Sequence, residues 1–227
     1  MSKDYTFKYD VNGEEIILTP KMCQDFLVSG MGSITLKEYK FFTTLCRNMK
    51  LNPFAKDCYI MKYSNDKPAT IVTSKDVIFR RAMAHPDFDG LENGVIVQNT
   101  HGEIEERKGG FVLPKEELLV GAWAKAYRKN VKCPYYVSIS LDEVIQKKSD
   151  GKANKMWATK PAMMSIKVAS VRALREMFTE ELQGLYVVDE MDNVIKPDDF
   201  KSEEIEQTDS SIQVENIKQP EVKEIDD

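Results

Sequence analysis

Histidine and cysteine are scarce in this sequence, and their spacing excludes a recognisable zinc site. The chain has two histidines, His85 and His101, and four cysteines. No two cysteines form a C-x-x-C pair, whereas structural zinc sites take ligands at such short spacings. We therefore expect no metal cofactor, and four reduced thiols of the kind found in a reducing compartment.

The sequence also lacks a long apolar run and a secretory leader. No apolar stretch approaches the roughly 20 residues that span a bilayer. The N-terminal segment MSKDYTFKYDVNG has no apolar core of the kind that signal peptides carry. Hydrophobic residues make up 42% of the chain and charged residues 30%, which is typical of globular proteins. These features predict a cytoplasmic protein that does not associate with a membrane.

Signatures of nucleotide-driven and hydrolytic enzymes are absent as well. The chain has no G-x-x-x-x-G-K-[ST] loop for ATP phosphates, no G-x-S-x-G and no H-E-x-x-H. One acidic cluster, Asp87, Asp89 and Glu92, could belong to a metal-dependent nuclease if its carboxylates converged on a metal. Asp87 and Asp89 flank Phe88 and precede Gly90, so turn formation is the simpler interpretation. We expect no catalytic residues and no cofactor.

Charge is plentiful but unevenly distributed. The net charge is −5, yet residues 189–227 hold 14 acidic and 4 basic residues, a net charge of −10. The preceding residues therefore carry a net charge of +5, which permits binding to a polyanion. No aromatic residue follows Phe200 and large apolar residues are few, so we expect residues 196–227 to form a disordered acidic tail.

Turn and capping signals divide the first part of the chain into a hairpin and two helices. Asn12-Gly13 between apolar stretches predicts a β-hairpin. Thr19-Pro20 predicts the start of a helix of about ten residues. The capping box of Thr35 and Glu38 predicts the start of a second helix, which ends at Asn52-Pro53.

Strand signals dominate the middle of the chain. DCYIMKY and PATIVTS predict two strands, and TSKDVIFRRAMAH predicts a helix. Four further strands are predicted at LENGVIVQ, EIEERK, LLVGAWAKAYRK and PYYVSIS. A polar loop over residues 147–155, a helix over 157–178 and a short GLYVV strand follow. This order predicts an α+β fold, an antiparallel β-sheet backed by helices, in a single compact domain over residues 1–195.

The helix over residues 157–178 carries four cations among apolar residues. They are Lys160, Lys167, Arg172 and Arg175. At 100° per residue these cations occupy an arc of about 140°, and a separate arc is predicted to face the core. The core arc holds Met163, Ile166, Leu174 and Met177. Apolar Met164, Val171 and Phe178 lie within the cationic arc. The cations either form a solvated face or meet successive phosphates of a nucleic acid, with the apolar residues against bases.

The stretch GAWAKAYRKN is a second candidate site. Strand alternation places one set of residues on one face, namely Trp123, Lys125, Tyr127 and Lys129. The opposite face carries Ala122, Ala124, Ala126 and Arg128. Small residues suit close backing by a helix, and aromatic residues that alternate with cations suit a polynucleotide. Alternatively, the rings belong to the core and the cations protect a sheet edge.

The stretch TSKDVIFRRA is a third candidate. Lys75 lies next to a predicted helix start, where it could approach a phosphate together with backbone amides. Arg81 lies on the same short helix. The alternative is an ordinary surface helix with an Asp76–Arg80 pair.

Several blocks of this sequence resemble one family in order and spacing. They are KLNPFAKDCYIMKY, PATIVTSKDVIFRRA, HPDFDGLENGVIV, LVGAWAKAYRK, PYYVSISLDE, KPAMMSIKVASVRALREMF and GLYVVDEM. The blocks extend from about residue 51 to 191, and together they resemble the phage RecT/Bet single-strand annealing proteins.

The resemblance implies an ATP-independent protein that coats single-stranded DNA and anneals complementary strands. The active form would be a homo-oligomer, a ring or helical filament that holds DNA in an outer groove. Partners would be single-stranded DNA, the annealed duplex, a phage exonuclease and the host single-stranded DNA-binding protein. Together with the three candidate sites, the resemblance gives a set of expected DNA-binding residues. They are Lys75, Arg81, Trp123, Lys125, Tyr127, Arg128, Lys129, Lys160, Lys167, Arg172 and Arg175.

Two alternatives remain open at the level of sequence. One is a passive coat that protects single-stranded DNA without annealing it, and the other is a metal-dependent nuclease. The acidic tail would either discourage nonspecific contact with DNA or carry a site for a partner protein.

Overall fold

A computed structural model of the chain describes residues 5–148 and 150–187. These residues form two compact units, residues 5–72 (unit 1) and 73–187 (unit 2). The α+β class is confirmed, because both units combine helices with β-sheet. The predicted domain end at residue 195 and the predicted disordered tail over residues 196–227 lie outside the described residues. In the described part of the chain, no helix is long and apolar enough to cross a membrane.

Unit 1 opens with the predicted hairpin. It consists of β1 (Phe7–Val11) and β2 (Glu14–Leu18), which pair antiparallel. The turn residues Asn12 and Gly13 both have positive φ, 55° and 87°, which is the conformation that favours Asn-Gly here. The paired Phe7 and Leu18 are fully buried, so the hairpin contributes one face to the core of unit 1.

Both predicted helix starts of unit 1 are confirmed. Thr19 caps α1 (Pro20–Met22), which continues as a π-helical turn, Cys23–Leu27. Thr35 caps α2 (Leu36–Asn48), and the Thr35–Glu38 capping box is complete in both directions. A 3₁₀ turn, Pro53–Ala55, follows α2.

A small sheet completes unit 1 and reaches its boundary with unit 2. Its strands are β3 (Val28–Ser29), β4 (Cys58–Met61) and β5 (Thr70–Thr73), in the order β3-β4-β5. The pair β3–β4 is parallel. The strands predicted at DCYIMKY and PATIVTS are confirmed as β4 and β5.

Unit 2 is built on a four-stranded antiparallel sheet. Helix α3 (Lys75–Ala84) precedes it. The strands are β6 (Phe88–Gln98), β7 (Ile104–Lys108), β8 (Leu118–Arg128) and β9 (Tyr135–Ser140), in the order β7-β6-β8-β9. All four predicted strands are present, and the predicted antiparallel sheet backed by helices is confirmed.

The predicted helix over residues 157–178 is two helices. The helices that follow the sheet are α4 (Leu141–Val144), α5 (Lys155–Thr159), α6 (Pro161–Met177) and α7 (Thr179–Leu182). Lys160 separates α5 from α6, with φ −139° and ψ 51°. Proline disfavours helical backbone at the residue before it but is well tolerated at the first helical position, so Pro161 ends one helix and begins the next.

Helix α6 packs against the alanine face of β8. Ala122, Ala124 and Ala126 are fully buried, and Asn93 on the neighbouring strand donates a hydrogen bond to Ser170 Oγ at 3.0 Å. Asn93 is paired with Ala124 across the sheet, so this face of the sheet is the one that α6 covers. The prediction that small residues allow a helix to approach closely is confirmed.

The predicted division of α6 into a core arc and a cationic arc is wrong. The helix contacts β6, β8 and β9, and it also contacts α3, α4, α5 and α7. Met164, Val171 and Phe178, expected between exposed cations, are buried, whereas Met163, expected in the core, is 49% exposed. Helical periodicity predicts one apolar face on α6. The short helices α4, α5 and α7 also pack against α6 and bury a second apolar face.

The predicted GLYVV strand is also wrong within the described residues. Residues 184–187 form no strand, although Leu185 and Val187 are buried. The carbonyl oxygen of Tyr186 accepts hydrogen bonds from the Thr73 amide at 3.0 Å and from the Thr73 hydroxyl at 2.7 Å. These bonds attach the segment to Thr73, the first residue of unit 2, without a ladder.

Candidate nucleic-acid interface

One face of the four-stranded sheet carries aromatic residues and cations together. Since α6 covers the alanine side of β8, strand alternation places Trp123, Lys125 and Tyr127 on the opposite side. We call this side the aromatic face. Its members on four strands are Glu92, Glu106, Lys108, Trp123, Lys125, Tyr127 and Tyr136.

Lys125 lies between two rings of the aromatic face. Its Nζ is 5.3 Å from the ring centroid of Trp123 and 5.4 Å from that of Tyr136. The two rings are stacked with centroids 6.5 Å apart and an interplanar angle of 25°. Such cation–π contacts hold the ammonium group next to the two rings.

Trp123 is not the ring that a nucleobase would meet first. Only 4% of its surface is exposed, and among the described residues its Nε1 has no hydrogen-bond partner. Tyr136 on the neighbouring strand is 41% exposed. The sequence pattern identifies Trp123 and Tyr127 but misses Tyr136, because the pairing of β9 with β8 is what brings that ring next to Lys125.

Carboxylates offset much of the positive charge on the aromatic face. Glu92 accepts hydrogen bonds from Lys108 Nζ and from the Tyr127 hydroxyl, the latter at 3.0 Å. The bond from Lys108 and then that from Tyr127 lower the pKa of Glu92, so this carboxylate is ionised at neutral pH. The hydrogen bond that Tyr127 donates to Glu92 raises the pKa of the Tyr127 hydroxyl. Glu106 accepts a hydrogen bond from Tyr136 in the same way.

The predicted acidic cluster does not hold its carboxylates together. Asp87 Oδ2 lies 3.7 Å from Arg128 Nη2, whereas Glu92 is bonded to Tyr127 and Lys108. In the described ranges, no group of three or more potential metal ligands occurs.

Two predicted DNA-binding residues at the end of β8 contact the protein itself. Arg128 donates to the carbonyl oxygen of Met177 at 3.3 Å, and its guanidinium lies 5.4 Å from the ring centroid of Phe178. Lys129 Nζ donates to the carbonyl oxygen of Pro86 at 2.8 Å. These contacts join β8 to the C-terminal end of α6 and to the turn before β6.

The four cations expected on one helix occupy different surroundings. Lys160 lies in the break between α5 and α6 and is exposed. Lys167 and Arg172 are half-buried and both interact with other residues. Arg175 donates from Nε to the carbonyl oxygen of Leu185 at 3.2 Å and lies 4.7 Å from the ring centroid of Tyr186. The four cations therefore differ in exposure and in contacts, and Lys160 is the exposed one among them.

The candidates on α3 lie at opposite ends of the helix. Lys75 is its first residue and is exposed, 3.5 Å from the carboxylate of Asp76 and 5.6 Å from the ring centroid of Phe79. Ser74 caps the helix, and its hydroxyl oxygen accepts a hydrogen bond from the Asp76 amide at 3.1 Å. Arg81 is half-buried in the last turn and interacts with other residues.

Three lysines of the predicted polar loop over residues 147–155 lie on a small hairpin. Lys147 and Ala153 form an antiparallel bridge, and the Lys148 amide donates to the Lys152 carbonyl oxygen at 2.8 Å. The Asn154 amide donates to the Gln146 carbonyl oxygen at 2.9 Å. We call residues 146–154 the lysine hairpin; its residue 149 lies outside the described ranges.

The lysine hairpin and the two helices after it present a dense positive surface. The exposed lysines of this stretch are Lys147, Lys148, Lys152, Lys155 and Lys160. The one acid among residues 147–160 is Asp150, whose carboxylate accepts from the Lys152 amide at 3.0 Å. The density of lysines in QKKSDGKANKMWATK is the sequence signal that could have identified this surface.

Comparison with known protein families identifies a match over most of the chain. A model of the RecT family matches residues 34–224, which is most of the chain. The chain belongs to the RecT family. Among curated proteins, none matches the chain.

The match places both candidate surfaces within the RecT family region. It begins just before α2, includes all of unit 2 and extends to residue 224, well into the acidic residues 196–227. Members of the RecT family are single-strand annealing proteins of phage-type recombination. The resemblance drawn from the sequence blocks is therefore confirmed, and it extends to both sides of those blocks.

Proposed function

We propose that this RecT family protein binds single-stranded DNA and anneals complementary strands without ATP. The observation that carries the proposal is the family match over residues 34–224. The aromatic face and the lysine hairpin support it, because together they offer rings for bases and cations for phosphates.

Phosphate neutralisation is the physical basis of the proposed activity. Lysines that contact the DNA backbone release condensed counterions, so binding weakens steeply as salt rises. Neutralising one strand also lowers its repulsion for a second strand. Lys147, Lys148 and Lys152 suit this role because they are exposed on an ordered hairpin. Lys125 and Tyr136 provide a cation next to an exposed ring on the aromatic face.

Sequence specificity belongs to base pairing in this mechanism and not to the protein. Contacts to phosphates and stacking on rings leave the Watson–Crick edges of the bound strand free. A second strand can then test pairing while the first stays bound. Each protomer would cover a few nucleotides, and a homo-oligomer, a ring or helical filament, would cover a long strand.

The proposed setting is phage-type recombination in the cytoplasm. A phage exonuclease would produce the single strand, and the host single-stranded DNA-binding protein would be displaced from it or act as a partner. The two main surfaces of unit 2 would serve DNA, which leaves the acidic C-terminal residues for regulation or for partner proteins.

The test is a fluorescence annealing assay without ATP and with a metal chelator, at two salt concentrations. The hairpin variant Lys147→Gln/Lys148→Gln/Lys152→Gln is compared with Lys21→Gln/Lys67→Gln/Lys132→Gln, which removes the same charge from three other exposed positions. We expect the unmodified protein and the control to accelerate annealing, more so at low salt. The hairpin variant should lose most of this acceleration. Its salt slope for binding should fall by about two for three lost phosphate contacts.

Stacking is tested by a second pair of variants. Tyr135 and Tyr136 are both 41% exposed, but strand alternation places only Tyr136 on the aromatic face. Tyr136→Ala should weaken binding to single strands by about 1–3 kcal/mol, whereas Tyr135→Ala should leave it nearly unchanged.

The same assay separates the alternatives. A passive coat would slow the pairing of complementary strands at saturating protein, which would contradict annealing. Labelled strands should keep their length when magnesium replaces the chelator, and their shortening would favour a nuclease.

A further inference from the structure

The lysine hairpin region and the last 26 residues of the chain carry opposite charges. Residues 147–160 contain five lysines and one aspartate, a net charge of +4. Residues 202–227 contain nine acidic and two basic residues, a net charge of −7. The two segments are therefore electrostatically complementary.

The lysines of the hairpin differ from most other cations of unit 2 in their surroundings. Arg107 is paired with Glu117, Lys108 with Glu92 and Arg128 with Asp87. By contrast, no described residue forms a salt bridge with a side chain of the five lysines in residues 147–160. The hairpin therefore holds concentrated positive charge that the folded unit does not neutralise.

The acidic residues are close enough along the chain to reach this surface. The hairpin precedes the N-terminal end of α6, and Leu185 lies at the opposite end of α6, where its carbonyl accepts from Arg175. A helix of 17 residues is about 26 Å long. The chain continues for 40 residues after residue 187. A flexible chain of that length spans about 35 Å on average, which exceeds the length of α6.

We propose that the acidic residues 202–227 dock on the lysine hairpin and compete there with single-stranded DNA. The occupant is this segment of the same chain, and the recognition is between carboxylates and lysine ammonium groups. The competition with DNA rests on the function proposed above, whereas the docking itself does not.

Each carboxylate–lysine pair in such docking would be weak. The covalent linkage between residues 202–227 and the hairpin favours the association of the two segments. Exposed carboxylate–lysine pairs stabilise by a fraction of a kcal/mol each, and salt screens them. A tethered segment acts at a high effective concentration, so several such pairs can keep the hairpin occupied at low salt. A long single strand contacts many protomers and displaces the segment, whereas short strands and isolated phosphates do not.

Zero-length carbodiimide crosslinking of the full-length protein tests the docking without DNA. The reagent joins a lysine to a carboxylate only where the two groups touch, and peptide mass spectrometry identifies the pair. We expect crosslinks from Lys147, Lys148 or Lys152 to carboxylates of residues 202–227 at low salt. Their yield should fall at high salt and on addition of long oligothymidine. Mixing isotope-labelled and unlabelled protein distinguishes crosslinks within one copy from those between copies.

Two crosslinking results would overturn the docking. One is an absence of crosslinks between these two segments under conditions where Lys75–Asp76 or Lys108–Glu92 crosslinks form. The other is a distribution of tail crosslinks over Lys21, Lys67 and Lys132 as frequent as over the hairpin, which would indicate nonspecific attraction.

A double-mutant cycle tests the competition with DNA. One change replaces the nine tail acids by Asn or Gln in the full-length chain, and the other is the hairpin variant Lys147→Gln/Lys148→Gln/Lys152→Gln. The tail acids are Glu203, Glu204, Glu206, Asp209, Glu215, Glu221, Glu224, Asp226 and Asp227. Neutralising the tail should strengthen binding of a short oligonucleotide about three- to tenfold at low salt. In the hairpin variant the same tail change should have almost no effect.

Equal gains in both backgrounds would contradict a specific docking site. The control Lys21→Gln/Lys67→Gln/Lys132→Gln has the same net charge as the hairpin variant but intact hairpin lysines, so it should keep the full gain. The two proposals also fail separately. Annealing without tail–hairpin crosslinks leaves the proposed function intact, and crosslinks in a protein that does not anneal leave the docking intact.

Discussion

Arg128 of β8 and Arg175 of α6 each contact a backbone carbonyl and an aromatic ring of unit 2. Arg128 donates to the carbonyl oxygen of Met177, and Arg175 donates to that of Leu185 while its guanidinium lies on Tyr186. Met177 is the last residue of α6, where carbonyl oxygens have no partner within the helix, so an arginine is well suited to bind its carbonyl. Both residues are predicted DNA contacts, yet each has a structural role that substitution would remove.

Substitution of Arg175 is therefore expected to affect stability before it affects DNA binding. Arg175→Ala should lower the free energy of unfolding by about 1–2 kcal/mol, through the lost hydrogen bond and the lost cation–π contact. Lys160→Ala, at an exposed position, should change it by less than about 0.5 kcal/mol. Chemical denaturation of the two variants measures this difference. Equal stability of both variants, with weaker DNA binding only in Arg175→Ala, would instead support a direct contact with DNA.

At the scale of elements, α2 and the β3-β4-β5 sheet are joined by one buried ion pair. Lys62 Nζ donates to Glu38 Oε1 at 2.7 Å and to the Lys67 carbonyl oxygen at 2.7 Å. Glu38 Oε1 also accepts from the Ala69 amide at 2.7 Å, and Glu38 Oε2 completes the capping box with Thr35. All groups of this buried pair are hydrogen-bonded, which is the condition for a buried charge to be tolerated.

This ion pair predicts loss of stability in acid. Burial alone would raise the pKa of Glu38, but hydrogen bonds from Lys62, Thr35 and Ala69 outweigh it and lower the pKa below 4.5. A lowered folded pKa means that the unfolded chain binds the proton first as the pH falls. The stabilisation is thus complete above about pH 4.5 and is lost as the pH falls through the pKa of folded Glu38.

The measurement is the unfolding free energy of the protein and of Glu38→Gln between pH 7 and pH 3. Glu38→Gln leaves the Lys62 ammonium buried without a carboxylate, so it should destabilise by about 3–5 kcal/mol at pH 7. The difference between the two proteins should narrow toward pH 3. A difference that stays constant over this range would contradict the assignment to Glu38.

Structural features that are determined by residues close in sequence could be predicted. Features that are determined by residues far apart in sequence could not. The Asn12-Gly13 turn and the Thr35–Glu38 capping box are local, and both are confirmed. The break at Lys160 is also local, but the apolar spacing across Pro161 concealed it. The partnership of Arg128 with Met177 spans 49 residues. Periodicity carries no information about contacts of that kind.

For the whole molecule, the distribution of charge matters more than its sum. A net charge of −5 would repel DNA, but residues 202–227 carry −7, so the remaining residues carry +2. The positive surface of residues 147–160 can therefore attract DNA at short range, where salt does not screen it fully. Sequence alone predicts the basic body and the acidic tail. The sequence also shows the high density of lysines in residues 147–160, but only the structure shows that three of them lie on a hairpin.

Removal of residues 202–227 is expected to leave annealing in vitro largely intact. The truncation removes no residue of the described parts of the two units and none of the two candidate surfaces. The annealing assay at low and high salt compares the truncated and full-length proteins. Loss of annealing on truncation would show that the acidic residues take part in the reaction itself, for example in oligomer assembly.

The two tryptophans lie next to the two candidate surfaces. Trp123 is stacked under Tyr136 and Lys125 on the aromatic face, and Trp157 is buried in α5 between the exposed Lys155 and Lys160. The chain has no other tryptophan. Intrinsic fluorescence therefore reports on both surfaces without a dye, and replacing either indole by phenylalanine assigns an emission change to one of them.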